Sequence, residues 1–254
     1  MIHILALLVI QLTTFRAAAA LMASDAANNS AYDNGWQDGD NGGSGFGAWV
    51  LASNGANAGH MIGDSTALAP GNSGANINTG GESFRMSGHL GQFATALRPL
   101  SGTLSVGDTL SFVIAVNNQN GSKGFNLRDS ANMPIWSFDV LPGTYQAGGT
   151  PVFDNEYADT TAFHFTFTQN DSTLSWTINR SGDLSGVESG TANIPVGSVA
   201  GIRFYVSDTL NSDPENNLYI NSMSMAPVPE PVNVALMIFG GIAFASAAWR
   251  RWRR

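Results

Sequence analysis

Residues 31–226 predict an all-β fold, a two-sheet antiparallel β-sandwich, on three observations. Apolar residues alternate with more polar ones at period two, as at Leu110, Phe112, Ile114 and Val116, which suits strands whose successive side chains point to opposite faces. Clusters of Gly, Asn, Asp, Ser and Thr cut the chain roughly every 8 to 12 residues, the usual rhythm of turns between short strands. No stretch of this body carries the spacing of an amphipathic helix. Short strands without helical crossovers must bury their apolar faces against another sheet.

Taken in order, the chain opens with an apolar run at 2–10, continues through Arg16, and reaches small residues at 17–20 and 23–26. Residues 1–26 therefore have the layout of a secretory signal peptide, with cleavage expected after Ala20, Ala23 or Ala26. The layout departs from the usual one, because no Lys or Arg precedes the apolar run. Strands are expected near 46–52, 82–87, 92–98, 110–116, 123–128 and 134–140. Phe163, Phe165 and Phe167, then Leu174, Trp176 and Ile178, flank the turn residues Gln169-Asn170-Asp171-Ser172, so 161–179 reads as a hairpin. Further strands are expected near 186–194, 202–206 and 216–225.

The chain ends differently. Prolines at 227, 229 and 231 fix φ and bias their predecessors to extended backbone, which predicts a stiff segment outside any helix. Residues 232–249 contain no charged side chain, and 18 residues at about 1.5 Å of rise span roughly 27 Å, close to the core of a bilayer. Arg250, Arg251, Arg253 and Arg254 follow, with Trp249 and Trp252 suited to the headgroup layer. Such an arginine cluster stays on the cytoplasmic side, so the body is expected to face outward.

This order of features resembles the PEP-CTERM sorting signal of Gram-negative bacteria. Val228, Pro229, Glu230 and Pro231 match the motif, and Gly240-Gly241 within the apolar run and the arginine tail agree with the rest. The resemblance implies recognition and cutting near the motif by an exosortase, a stay in the inner membrane through residues 232–249, and delivery to the cell surface or an exopolysaccharide matrix. The order of strands in the body loosely resembles jelly-roll domains of the concanavalin-like type. An immunoglobulin-like sandwich is the competing architecture.

Composition narrows the chemistry. Residues 31–226 hold six of the eleven Lys and Arg and seventeen of the nineteen Asp and Glu, a net of −11, which disfavours nucleic acid as a partner. With no cysteine the fold cannot use disulfides or thiolate metal sites. Asp38 and Asp40, near Asp33 and Asn34, form an oxygen-rich stretch that is a candidate calcium loop. EF-hand spacing fails there, since Trp49 stands where a bidentate Glu is needed. A surface turn is the competing reading of those residues. No other cofactor is expected.

Asp154, Glu156 and Asp159 are clustered, but nothing in the sequence sets two of them at the fixed separation that glycoside hydrolysis needs. His60, His89 and His164 lack metal-ligand spacing, and the run Gly42-Gly43-Ser44-Gly45-Phe46-Gly47 lacks the lysine of a phosphate loop, reading instead as a flexible approach to a strand. Trp36, Trp49, Trp136, Tyr145, Tyr157, Tyr205 and Tyr219 can stack on sugar rings, although burial in the core explains most such residues. Trp36, between Gly35 and Gln37, is the candidate glycan contact. The expectation is a non-enzymatic exported surface or matrix protein associated with exopolysaccharide. The rival is a carbohydrate-binding or glycoside-hydrolase module on the same anchor. Ice binding ranks low, as Thr-x-Thr occurs only at Thr166 and Thr168 among regular ranks.

Overall fold

A computed structural model describes residues 22–67, 74–156, 160–211 and 213–227 and has fifteen strands among them. They are β1 (Ala23–Asp25), β2 (Val50–Asn54), β3 (Ala58–Gly63), β4 (Ser83–Gly88), β5 (Phe93–Pro99), β6 (Thr109–Val116), β7 (Ser122–Arg128), β8 (Pro134–Leu141), β9 (Thr144–Ala147), β10 (Thr150–Val152), β11 (Thr161–Gln169), β12 (Leu174–Gly182), β13 (Gly186–Ala192), β14 (Gly201–Ser207) and β15 (Leu218–Ala226). One sheet runs β13-β12-β11-β6-β15-β4-β3, with β1 also on β15; the other runs β10-β9-β8-β7-β14-β5-β2. Every pairing between these strands is antiparallel. Strands β4 to β7 alternate between the sheets, giving a jelly-roll-like sandwich.

The sorting motif at 228–231, the apolar run at 232–249, the four terminal arginines and residues 1–21 of the expected leader lie outside the described residues. Among the described residues no helix is long and apolar enough to cross a membrane.

Aromatic rings from both inner faces interlock to make the core. Phe112 packs edge-on to Phe125 at 4.7 Å, Phe138 meets Phe165 at 4.9 Å, and Phe167 meets Trp136 at 5.0 Å, each joining one sheet to the other. Removing any one of these rings forfeits both transfer energy and packing. The expected hairpin holds: Phe163↔Arg180 through Gln169↔Leu174 pair in register, and the turn closes with Asn170 donating its N–H to the Thr173 carbonyl.

The body begins earlier than residue 31. Residues 23–25, expected to belong to the leader, form β1 and pair with Met223–Met225 of β15. Ala23 is fully buried, and Asp25 reaches across the sandwich to Arg98 of β5 at 2.7 Å, with both side chains completely covered. Tyr32 donates its hydroxyl proton to Asp25 at 2.6 Å and accepts from the Trp49 indole at 3.1 Å. The Arg98 guanidinium also donates to the Gly47 and Gly42 carbonyls and lies 5.0 Å from the Trp49 ring. Burial pushes the Asp25 carboxyl up to about 6, outweighing the opposite pull of Tyr32 and Arg98.

The run at 42–47 is not a flexible approach but a fitted one. A Cβ on Gly43 would lie 1.9 Å from the Ser24 carbonyl oxygen, and one on Gly45 would lie 2.1 Å from that of Met22. Both have φ near +70°, where glycine is favoured. Ser44 then exchanges two backbone hydrogen bonds with Ser24, so β1 is held on both sides. Strands β3, β9 and β10 were also not expected. Ala58–Gly63 lacks period-two alternation, while β9 and β10 are four and three residues long.

Lys123 faces inward from β7, opposite Val206 and Val140, and is fully buried while donating to the Asn118 carbonyl. Burial drives its ammonium down to about 7, against the attraction of Glu215. A base depressed in the folded state adds stability that is complete above its unfolded value of 10.5 and lost as pH falls toward 7. Across that window wild type should lose stability relative to Lys123→Met, at up to about 1.4 kcal/mol per pH unit. Paired denaturant titrations at several pH values measure this, and a difference that stays flat with pH refutes it.

Candidate functional site

At the β10 and β13 edges the two sheets part, and the gap is lined by aromatic and small residues. The register sets this up. Trp176 of β12 lies directly opposite Gly190 of β13, and a Cβ on residue 190 would come within 2.5 Å of the indole. The glycine thus leaves the space that the ring occupies. Across the gap, Trp136 of β8 turns inward beside the β9–β10 turn, where Gly148 and Gly149 both have positive φ. The two indoles stand 5.7 Å apart, tilted by 49°. Trp136 is nearly buried, whereas Trp176 is partly exposed and packs on the edge of the core.

The open cleft measures about 930 Å³, within the range of small-ligand sites. Ser189 and Thr191 alternate with the inward Glu188, Gly190 and Ala192 and turn their hydroxyls to the outer face, the Ser137 hydroxyl donates to Asp139 at 2.7 Å, and Thr150 shares its side of β10 with the buried Val152. Glu188 is the one carboxylate among the described lining residues. It lies opposite Ile178 on the inner face and accepts the Phe153 N–H at 3.0 Å. That contact holds a strained turn, since Phe153 and Asp154 have φ of 59° and 49°. The Arg180 guanidinium covers the Phe153 ring at 4.4 Å and pairs with Glu156 at 3.2 Å. An apolar indole beside one carboxylate acceptor and the Thr150 hydroxyl suits a ligand with both C–H faces and hydroxyl groups.

The residues singled out in the sequence fall elsewhere. Trp36 is 3% exposed, which corrects the expectation that its polar flanks keep it in solvent. Gly35, with φ of 98°, lets the loop turn the indole down against Trp49 at 4.9 Å, Phe84 at 4.8 Å and His60 at 5.3 Å. Covering so large an apolar surface outweighs the polarity of its neighbours. Asp38 accepts the Leu51 N–H at 2.9 Å and Asp40 accepts the Gln37 N–H at 2.7 Å, so both carboxylates organise a turn against β2. Among the described residues no three His, Asp or Glu side chains gather as a metal group.

Glu156 is drawn to Arg180 and Asp154 is exposed on its turn, while Asp159 and Tyr157 lie outside the described residues. His60 is half-buried with Nε2 2.9 Å from the Thr95 carbonyl oxygen, and burial lowers its pKa. Trp49, Tyr145 and Tyr219 are core residues. Tyr205 donates its hydroxyl to Asp139, and burial raises its pKa. A smaller cleft of about 420 Å³ lies on the outer face of the first sheet, between residues 76–78, His164 and Ser222. Sequence reading placed Trp176 on a strand but gave no sign of the cleft. Glu188 and Gly190 on an edge strand were the available signal.

No family model matches the chain, and no curated protein matches it. Among solved structures it is similar to a Caenorhabditis elegans galectin, at 16% identity and TM-score 0.35 over 51% of this chain and 89% of the galectin. It is similar to the botulinum neurotoxin serotype D ligand binding domain in complex with N-acetylneuraminic acid, at 15% identity and TM-score 0.37 over 72% of this chain and 46% of that one. It also matches the enzymatically active domain of bacteriophage CBA120 tailspike protein 4, at 12% identity and TM-score 0.37, over 71% of this chain and 19% of that one. The chain thus spans less than half the length of the toxin and tailspike proteins. Neither ligand nor activity follows from likeness at this level.

Proposed function

We propose that this chain is an exported, non-enzymatic carbohydrate-binding protein of the cell surface or extracellular matrix, with the cleft between the sheet edges as its sugar site. The observation that carries the reading is the Trp136–Trp176 pair, 5.7 Å apart, in an open cleft of about 930 Å³ that Glu188 and Thr150 also line. An acidic body, net −11 over residues 31–226, favours neutral over anionic polysaccharide. The leader and the Val-Pro-Glu-Pro tail supply the route, with an exosortase as processing partner and the inner membrane as a temporary hold.

Hydrolysis is the weaker reading. Glycosidases work with two carboxylates flanking the scissile bond, and Glu188 has no second carboxylate beside it among the described lining residues. Glycan-array binding by the full chain in detergent tests the proposal, followed by titration of the best neutral glycan. Trp176→Ala should weaken that affinity about tenfold or more, or about 1.4 kcal/mol. Binding unchanged by the substitution would remove the cleft from the proposal, and no binding to any glycan would remove the function.

A further inference from the structure

We infer that the leader is cut at the end of the alanine run 17–20, before Leu21, so that the mature protein keeps β1; the inference rests on the export reading above. Signal peptidases need small residues at the first and third positions before the cut. Ala18-Ala19-Ala20, the overlapping Ala17-Ala18-Ala19, and Ser24-Asp25-Ala26 meet that need, whereas a cut after Ala23 would put Leu21 at the third position. Sequence alone leaves the alanine run and Ala26 level. The fold separates them.

A cut after Ala26 would take away the whole of β1. Ala23 would vanish from the core, and the Met22 N–H bond to the Met225 carbonyl, 2.9 Å, would go with it. Arg98 would stay buried beneath Trp49 and Phe46 with no carboxylate opposite it. Gly43 and Gly45, whose missing side chains make room for the Met22 and Ser24 carbonyls, would face a void. Three separate features of residues 42–98 are thus shaped to residues 22–25, which is intelligible only if those residues remain in the folded protein. A cut after Ala20 spares all of them.

Expressing the full chain in a Gram-negative host and determining the N-terminus of the exported, protease-resistant material by mass spectrometry tests the site. The expected first residue is Leu21, or Ala20 where the overlapping window is used. Exported folded protein beginning at Ser24 or Ala27 overturns the inference while leaving export intact, whereas an uncut chain beginning at Met1 in the cytosol overturns the export reading itself. Two variants cross-check the bond. The double variant Ala19→Glu/Ala20→Glu, which spoils both alanine windows, should abolish processing and accumulate precursor, and Ala26→Glu should be processed like wild type. The reverse pattern refutes the assignment.

Discussion

Replacing Asp25 with alanine is expected to destabilise the folded protein by about 3–5 kcal/mol, because it strands the buried Arg98 guanidinium without its counter-charge. The residual donors to Gly47 and Gly42 soften the loss without neutralising the charge. Arg98→Ala should cost a similar amount, leaving a desolvated carboxylate against Tyr32. The pair taken whole need not be a large net stabiliser, since burial raises the Asp25 pKa and lowers that of Arg98 despite their contact. The double variant Asp25→Leu/Arg98→Met should therefore recover part of the loss. Urea unfolding of wild type, Asp25→Ala, Arg98→Ala and the double variant Asp25→Ala/Arg98→Ala gives the coupling energy directly. Additive single effects would show that the two groups act independently, contrary to their 2.7 Å separation.

Deleting Arg250–Arg254 is expected to abolish surface delivery almost completely, leaving protein retained or misrouted. In the inner-membrane hold proposed above, the apolar run 232–249 has no charge of its own, so orientation would rest on the arginines and their loss would remove the positive-inside signal. Glu230→Ala, within the Val-Pro-Glu-Pro motif, should leave insertion unchanged but block release. Cell fractionation with mass spectrometry of the mature C-terminus reads both. Wild-type surface material that still carries Arg254 would refute release near the motif.

Much of the architecture was readable from alternation alone. The Phe163–Phe165–Phe167 rank and its hairpin partner were legible because period two is a local signal, and long strands repeat it often enough to be unmistakable. What escaped were elements whose cause is distant. β1 is three residues in a small-residue stretch, and only its contacts with β15, Ser44 and Arg98 make it a strand. Trp36 looked exposed because its neighbours are polar, yet its environment is set by Trp49 and Phe84. The cleft was invisible for the same reason. It exists because β12–β13 pairing puts a glycine opposite Trp176 and sheet stacking brings Trp136 within reach, neither of which is written in local spacing.

The register of β1 on β15 has a geometric corollary. Ala23 sits beside Met225, so the polypeptide enters and departs the sandwich through the same pole. In the precursor proposed above, held to one membrane at both extremities, the two sheets can then close without passing an end through the fold.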